Sequence, residues 1–556
     1  MKRNLIYILL SSFVLSFTAC NDLLEEKPFG DSTEAEMLSN PDNLIYIVGQ
    51  AYSDLKWLHD HWGYWGINTL TSDECVCPVR MPGSHWNDGG YWSGMNNHRW
   101  TPSSKAFENV WQQSASGTVL CNKLISMLER NIAIIPEDKY AQYRGELEVL
   151  RSYYYYTLFD SFGRIPYKED FVAGDVPQLP VAETWRKLVD CLERNANNLP
   201  VVNNANRATQ YGRVTQGFAY ALLARLYLNA ESYGIPNTGE NFYSKCIDAC
   251  QKVIASGSYI TEPNFFTNFK IQNEVSRENI FVIVEAGDPN EIPVVYNRSM
   301  SNKLRISTLT LHYCHQTAWN MIEKPWNGFC APAEFISLYE GNDVRGTGTE
   351  GNGTKNAGTY GWFIGPIYDA TGSKILKDEN GTEAIIEKEV NSLIESTWNA
   401  GSRMIKYEVD KEKKYAWNEN DFVLFRYADV LYMQAEAFLR GGSSSTGASL
   451  VSLLSNSDFR NIRTRAGVSP YTEATLTLNE LLNERGREFA WENVRRRDLI
   501  RFGKFADGSW SGWGSWRGVK SGQYLNWFPI PLPVLLSSNR DENGNPIWTQ
   551  NPGYPQ

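Results

Sequence analysis

Apolar residues recur every three or four positions in four separate stretches of the chain, which are residues 146–159, 215–230, 425–440 and 477–492. This spacing places the apolar residues of each stretch on one face of an α-helix. A single helix of this length is only marginally stable in water. The pattern therefore predicts a mainly α-helical fold in which these helices bury their apolar faces against each other or against neighbouring segments.

Residues at the helix ends agree with this prediction. Thr477 and Glu480 have the spacing of a capping box, which places a helix start at Thr477. The third stretch runs into Gly441 and Gly442, and glycine there is a typical stop signal. A further helix is predicted over residues 243–257, shortly after the second stretch. Neighbouring helix pairs of this kind indicate tetratricopeptide-like packing.

The pattern changes between residues 271 and 420. Residues 279–286, NIFVIVEA, predict a strand because they form a short apolar run rich in β-branched residues. Glycine and asparagine become dense over residues 340–363, which is typical of loops. We therefore expect a helical N-terminal region over residues 20–270. The C-terminal region, residues 271–556, would add a loop-rich, partly β elaboration and the closing helices.

The first twenty residues, MKRNLIYILLSSFVLSFTAC, have the form of a secretory signal: a basic start, an apolar run and small residues before a cysteine. The apolar run from Leu5 to Phe17 is too short to span a bilayer easily, since a spanning helix needs about 20 apolar residues. The ending resembles the lipobox of bacterial lipoproteins. It predicts a signal peptide over residues 1–19 and acylation of Cys20, which would anchor the chain to a membrane surface.

Composition narrows the classes of ligand. The formal net charge is −10, so the chain lacks the basic surface that binds a phosphate backbone, and we expect no nucleic-acid partner. Aromatic residues are abundant, with 19 Trp, 30 Tyr and 24 Phe. The question that follows is whether any of these rings face solvent.

Residues 82–100, PGSHWNDGGYWSGMNNHRW, place Trp86 and Trp92 among turn-forming residues, which predicts that both rings lie on a loop. A loop tryptophan can fold inward as a plug or stay exposed. An exposed indole offers an apolar, electron-rich face to the C–H groups of a pyranose ring. Asn87 and Asp88 would supply hydrogen-bonding groups beside it, and an apolar platform with a polar rim suits a sugar site.

Five further stretches, taken together with the N-terminal lipobox, resemble the SusD/RagB family of surface glycan-binding lipoproteins. The stretches occur in that family's order and cover residues 143–167, 212–230, 422–439, 481–505 and 528–554. The resemblance implies a single globule of about four tetratricopeptide-like helix pairs, with irregular loops that form the ligand face. It also implies a cell-surface lipoprotein of the outer membrane that is not an enzyme. Such a protein would capture an oligosaccharide or polysaccharide for a SusC-like TonB-dependent transporter.

The same resemblance singles out site residues. A segment similar to residues 71–92 lies on the ligand face in one branch of the family, and its central tryptophan corresponds to Trp86. That segment also contains Arg80. Family ligand faces draw further aromatic residues from the middle of the chain. The resemblance therefore implies a glycan-binding set of Trp86, Trp326, Trp319, Tyr313, Trp92, Asn87, Asp88 and Arg80.

Two other functions stay open at this point. Tetratricopeptide-like pairs often bind peptides, so the chain could be a protein-interaction scaffold without affinity for sugars. A glycoside hydrolase would need two carboxyl groups about 5–9 Å apart. The adjacent pair Asp73 and Glu74, close to the aromatic loop, is the strongest candidate in the sequence, although adjacent residues rarely converge on one bond.

Charged and metal-ligating residues elsewhere favour structural roles. Acidic and basic residues alternate at helical offsets over residues 484–497, which indicates a solvated or inter-helix network of ion pairs. Exposed pairs of this type contribute only about 0.3–0.5 kcal/mol each. His312, Cys314 and His315 form the best metal candidate, but a half-buried strand or loop explains them better. We expect no metal and no cofactor.

Overall fold

Helices make up most of the regular structure in the computed structural model, which describes residues 34–81, 85–285, 306–347, 360–410 and 419–555. In the first half of the chain they are α1 (Glu34–Ser39), α2 (Leu44–Gly49), α3 (Asp54–Leu58), α4 (Tyr64–Thr69), α5 (Tyr91–Asn96), α6 (Lys105–Arg130), α7 (Glu137–Phe162), α8 (Val181–Asn195), α9 (Arg207–Gln210), α10 (Gln216–Leu228) and α11 (Phe242–Ala255). In the second half they are α12 (Ile306–Thr310), α13 (His315–Ala318), α14 (Ala333–Ile336), α15 (Val344–Thr347), α16 (Tyr427–Leu439), α17 (Leu450–Ser455), α18 (Ser457–Thr464), α19 (Leu478–Phe489), α20 (Arg495–Arg501) and α21 (Leu532–Leu536).

The four helices predicted from apolar spacing are confirmed as α7, α10, α16 and α19. Helix α19 begins after Thr477, whose hydroxyl accepts a hydrogen bond from the Glu480 N–H at 3.2 Å. Helix α16 ends before Gly441, which has a φ of 89° that suits glycine. It begins only at Tyr427, because the preceding residues belong to a strand.

The long helices pack in successive pairs. Helix α6 packs along α7, α8 lies against α7 and α10, α11 packs on α10 and α16, and α19 contacts α20. This arrangement agrees with the predicted four tetratricopeptide-like pairs. The Tyr153–Tyr156 run is buried on every side, because α7 lies at the centre of these contacts. The four tyrosines therefore serve helix packing.

Strands are short and pair two by two, as expected for a loop-rich elaboration. They are β1 (Arg80–Met81), β2 (Asn279–Ile283), β3 (Gly361–Phe363), β4 (Gly365–Pro366), β5 (Ile385–Ile386), β6 (Ser396–Thr397), β7 (Arg403–Ile405) and β8 (Phe422–Arg426). Strand β2, which was predicted from the sequence, pairs antiparallel with β8. Strands β3 and β7 and strands β4 and β5 are also antiparallel, whereas β1 and β6 are parallel. The elaboration is thus held by contacts distant in sequence.

The charged residues of α19 lie in the protein interior, so the expectation of a solvated network is wrong and the inter-helix alternative is confirmed. The Glu488 carboxylate accepts hydrogen bonds from three guanidinium groups, at 2.8 Å from Arg345, 2.9 Å from Arg426 and 2.7 Å from Arg465. Burial alone would raise the pKa of Glu488, but these cations lower it to about 2. Because Arg345 belongs to the elaboration, the network ties that region to the closing helices.

The N-terminal predictions fall outside the described residues. The signal peptide over residues 1–19 and the acylated Cys20 precede Glu34, where the description begins. Across the described ranges, no helix combines the length and the apolar character needed to cross a membrane.

Candidate functional site

A tight turn presents Trp86 at the surface. The Asn87 side chain accepts a hydrogen bond from the Gly90 N–H at 2.9 Å and donates one to the His85 carbonyl at 3.0 Å. Asp88, Gly89 and Gly90 all have positive φ, at 48°, 65° and 83°, so the glycines allow a turn that other residues would strain. The predicted loop is confirmed here, and the Trp86 side chain is half-buried.

Trp86 lies against Trp326, a second predicted platform residue from a distant part of the chain. Their ring centroids are 5.0 Å apart with planes inclined at 52°, and Trp326 is also half-buried. The indole of Trp86 packs directly over Gly328, where a Cβ atom would approach the Trp86 ring far more closely than van der Waals contact. Phe329 supports Trp86 from below, with its ring centroid at 5.1 Å and its side chain buried. The close approach of the two tryptophans therefore depends on a glycine at position 328.

Three further half-buried rings extend this surface, and sequence reasoning missed them. They are His61, Trp62 and Tyr91. The His61 ring lies 5.6 Å from Trp86, and Trp62 lies 4.9 Å from Tyr91. We call Trp86, Trp326, His61, Trp62 and Tyr91 the aromatic patch. The signal in the sequence was HDHWGYWG, residues 59–66, where aromatic residues again alternate with glycine.

Polar groups accompany the aromatic patch. The Asp60 carboxylate contacts both the backbone N–H and the ring Nδ1 of His61. Glu323 and Lys324 lie just before Trp326; Glu323 is half-buried and Lys324 is exposed. Glu323 accepts a hydrogen bond from the Thr308 hydroxyl at 3.5 Å. The patch thus combines apolar ring surfaces with the Asp60 carboxylate and the His61 imidazole.

The predicted binding role is wrong for Trp92 and Trp319. The predicted loop position is wrong for Trp92, because a short helix, α5, begins directly after Gly90 and contains this residue. Its side chain is fully buried, with the ring centroid 5.9 Å from that of Phe329, and its indole N–H donates to Asp88 at 2.8 Å. Trp319 is only 4 % exposed and packs in a satellite core with its ring 4.5 Å from His315. The expectation of exposed rings is wrong for both, because a buried indole has no face for a ligand.

The predicted binding role is also wrong for Arg80. Its guanidinium is buried and donates to the carbonyls of Asn327 at 2.9 Å, Gly328 at 3.2 Å and Ala400 at 2.6 Å. These bonds leave the side chain without access to a ligand. They also hold the segment that carries Trp326, so Arg80 positions the patch from behind.

The remaining predicted residues have mixed surroundings. Tyr313 is half-buried, stacks on His85 at 6.3 Å and lies 4.8 Å from the Lys324 ammonium. Its hydroxyl accepts a hydrogen bond from the Glu379 N–H at 2.9 Å, and burial raises its pKa to about 12. Asn87 uses its side chain to close the turn, and Asp88 accepts from Trp92. The side chains of Asn87 and Asp88 therefore stabilise the loop that carries Trp86.

The catalytic candidate Asp73–Glu74 lies in the interior. Asp73 receives two hydrogen bonds from Arg495, at 2.7 and 2.8 Å, and Glu74 accepts one from the Trp491 N–H at 2.9 Å. Both side chains are buried, so neither carboxyl group can contact a glycosidic bond at the surface. Asp73 instead fixes the segment that leads to β1.

The metal candidate is buried as well. His312 and His315 are fully enclosed, and burial lowers the pKa of both. The His315 Nδ1 lies 3.0 Å from the His312 carbonyl. In the part of the chain that the structure describes, no group of three or more His, Cys, Asp or Glu residues is arranged to hold a metal ion.

A separate apolar cleft of about 490 Å³ opens beside helices α6 and α7. Its lining includes Trp111, Val119, Tyr155, Phe171 and Val172. Phe171 and Val172 are exposed, which is unusual for neighbouring apolar residues. None of the predicted glycan-binding residues lines this cleft.

Comparison with known proteins agrees with this fold and extends over nearly the whole chain. The model of the SusD family matches residues 298–554, and a model described as starch-binding associating with outer membrane matches residues 68–228. The starch-binding protein SusD of Bacteroides thetaiotaomicron is 26% identical over 508 residues, which cover 88% of this chain and 84% of that protein.

Solved structures share the architecture. Surface glycan-binding protein A from Bacteroides thetaiotaomicron, in complex with laminarihexaose, superposes with a TM-score of 0.68 at 20% identity, covering 92% of this chain and 99% of that one. A SusD superfamily protein from Parabacteroides distasonis superposes with a TM-score of 0.67 at 19% identity and the same coverage. The two matched family regions, the helix-pair scaffold and the loop-rich elaboration lead to one conclusion: the chain belongs to the SusD/RagB family.

Proposed function

We propose that this protein is a cell-surface glycan-binding lipoprotein that captures an oligosaccharide or polysaccharide on the aromatic patch and delivers it to a TonB-dependent outer-membrane transporter. One observation carries the proposal. In a member of a family with starch- and laminarin-binding relatives, Trp86 and Trp326 meet at the surface although they are distant in the sequence. Trp86 is the leading platform, and Trp326 is the second.

The chemistry of the patch suits sugar binding. Pyranose rings present C–H groups that stack on the electron-rich face of an indole, and the hydroxyl groups at their edges need hydrogen-bonding partners. Asp60 and His61 lie beside the rings and can supply such partners. If two or three rings each contribute about 2 kcal/mol, binding is worth about 4–6 kcal/mol and the dissociation constant falls between about 1 mM and tens of micromolar. Binding of that strength releases its cargo readily, which suits transfer to a transporter.

Membrane attachment is part of the same proposal. Acylation of Cys20 would tether the chain to the outer membrane, and the acidic residues that follow it resemble signals for export to the cell exterior. One family model that matches this chain carries the description starch-binding associating with outer membrane. We propose no catalytic role, because Asp73 and Glu74 are both buried in structural contacts.

Affinity electrophoresis against a panel of polysaccharides tests glycan capture, with starch and laminarin as the first members. We expect at least one glycan to retard the wild-type protein, and we expect Trp86→Ala and Trp326→Ala to remove that retardation. Phe171→Ala is a matched control, because it deletes an exposed ring outside the aromatic patch. Normal retardation of both tryptophan variants would contradict the proposal. Release of sugar products would indicate an enzyme.

The scaffold function remains as a second candidate because of the apolar cleft beside α6 and α7. Phe171, Val172 and Val119 are exposed there, and such a surface could bind a peptide through apolar side chains. This alternative predicts no retardation by any glycan in the panel. It also predicts that Phe171→Ala, and not Trp86→Ala, weakens binding of an apolar peptide.

A further inference from the structure

The turn between helices α6 and α7 exposes three apolar residues in succession. Ile132 is 54 % exposed, Ile134 is 43 % exposed, and Ala133 between them is also exposed. A run of exposed apolar residues does not stabilise the fold while its side chains remain in contact with water. Such a run on a protein surface therefore indicates a function. The next residue, Ile135, is buried in the core and fixes the base of the turn. We call Ile132, Ala133 and Ile134 the apolar tip.

The N-terminal segment runs alongside this helix hairpin. The Trp62 carbonyl accepts a hydrogen bond from Asn109, and the Asp54 carboxylate accepts one from Ser116 at 2.8 Å. As the chain is followed back towards its start, its partners on α6 therefore move from residue 109 to residue 116. That direction on α6 leads to the turn.

Contacts with α7 give the same direction. The Tyr64 hydroxyl donates to Asp160 at 2.9 Å, the His59 ring lies 3.0 Å from the Tyr153 hydroxyl, and the Tyr52 hydroxyl donates to Glu146 at 2.6 Å. Partners on α7 thus move from residue 160 through 153 to 146 as the chain is followed back, and α7 begins at Glu137. Nine residues of helix span about 14 Å, so the contact of Tyr52 lies roughly that far from the start of α7 along the helix axis.

The chain followed back from Trp62 to helix α2 therefore runs towards the end of the molecule that carries the apolar tip. The fourteen residues from Cys20 to Thr33 can span at most about 50 Å. An acyl chain on Cys20 would therefore keep the apolar tip within reach of the lipid.

We propose that the apolar tip inserts into the interface of the membrane that holds the lipid anchor, as a second contact with that membrane. This inference rests on the proposed acylation of Cys20. Insertion would remove the exposed isoleucine surface from water. The charged residues next to the tip, Glu129, Arg130 and Glu137, would remain in the headgroup region. Because these charges are mixed, the contact depends on apolar burial and needs no anionic lipid.

A fluorescent label at the tip tests this contact. The full acylated chain carrying Ile134→Cys is labelled with an environment-sensitive nitrobenzoxadiazole group and reconstituted into phosphatidylcholine vesicles. The eight native cysteines after Cys20 are buried, so the label goes to the new thiol. We expect a blue-shifted emission and quenching by lipids that carry a nitroxide on the acyl chain. The matched control is Ile394→Cys, whose side chain is 72 % exposed elsewhere, and it should show neither effect.

A second measurement compares attachment strength. The protein is held to the vesicles by a single acyl group for this measurement. Replacing Ile132 and Ile134 by serine should then lower its affinity for the vesicles on the order of tenfold, because two half-exposed isoleucines no longer enter the lipid. Replacing Ile394 and Val451 by serine is the control, since those side chains are at least as exposed. Equal binding of the two double variants would contradict the proposal.

The outcomes separate the tip from the anchor. If the protein floats with the vesicles but the label at position 134 stays in water, the tip proposal is wrong and the anchor stands. If the label responds only when the transporter is added, the surface is a protein contact and the proposal is also wrong. If the protein does not float, acylation of Cys20 is wrong. The tip is then tested on a chain tethered through an N-terminal histidine tag to nickel-chelating lipid.

Discussion

Replacing Gly328 by alanine tests whether the segment that carries Trp326 also positions Trp86. An alanine Cβ at this site would lie 2.6 Å from Trp86 Cζ3, closer still to Cε3, and 3.0 Å from the Leu309 carbonyl oxygen. Gly328 does not use the left-handed backbone region, so alanine fits its backbone conformation. The effect of the substitution should therefore come from the clash with the indole.

The size of the effect follows from these distances. Ordinary van der Waals contact begins near 3.4 Å, so the Trp86 ring must move by about 1 Å. Overpacking of this kind costs about 1–3 kcal/mol of unfolding free energy. Trp86→Ala should cost about 2 kcal/mol, since full burial of a tryptophan is worth 3–5 kcal/mol and this ring is half-buried.

A double-mutant cycle isolates the contact. In the Trp86→Ala background, Gly328→Ala meets only the Leu309 oxygen and should cost less. We expect the double variant to be more stable than the sum of the single effects by about 1–2 kcal/mol. Urea unfolding followed by circular dichroism measures this difference without relying on tryptophan fluorescence. Gly341→Ala is the control, because no atom lies within 4 Å of its Cβ, and it should change stability by less than about 0.5 kcal/mol.

Glycan affinity gives a second readout of the same cycle. Gly328→Ala should weaken retardation by the glycan that retards the wild type, although it removes no aromatic ring. Additive stability costs together with unchanged retardation would refute the claim that Gly328 and Trp86 form one unit.

Three further predictions concern the interior. Burial raises the pKa of Glu74 to about 8 from its ordinary value of 4.5, so the folded protein holds a proton that the unfolded chain releases. The protonated Glu74 carboxyl group stabilises the fold fully below pH 4.5, and this stabilisation is lost as the pH rises to 8. The unfolding free energy, measured with urea from pH 5 to 9, should therefore decline more steeply for wild type than for Glu74→Gln. Arg426→Met should lower the unfolding free energy by about 3–5 kcal/mol because it removes a buried cation shared by Glu278, Glu488 and Glu492 and leaves excess negative charge in the interior, whereas Lys105→Met, at an exposed pair, should cost less than about 1 kcal/mol in the same urea assay. Trp319→Ala should destabilise the protein by about 3–5 kcal/mol and leave glycan retardation unchanged, because its ring lies in a core; lost retardation in a folded variant would contradict the burial argument.

Local signals in the sequence were sufficient for the helices. The apolar spacing that predicted α7 and α10 and the cap at Thr477 depend on residues within a few positions of each other. Turn-forming residues around Trp86 likewise predicted its loop, because glycine and asparagine set the backbone of the turn directly.

Exposure of a side chain depends on distant contacts, and here the sequence was insufficient. Trp86 and Trp92 lie six positions apart in the same aromatic stretch, yet only Trp92 is enclosed, because α5 turns its indole inward and Asp88 accepts its N–H. Arg80 looked like a polar partner, but carbonyl groups more than 240 positions away bind its guanidinium. No local pattern contains that information.

Local sequence patterns were enough to predict the helical scaffold, the turn that carries Trp86 and, through the family motifs, the family. The tertiary structure alone decided which rings share a surface. It joined Trp86 to Trp326, added His61 and Trp62, and buried Trp319. The physical reason is that helix and turn preferences arise from neighbouring residues, whereas burial is set by whatever the folded chain brings into contact.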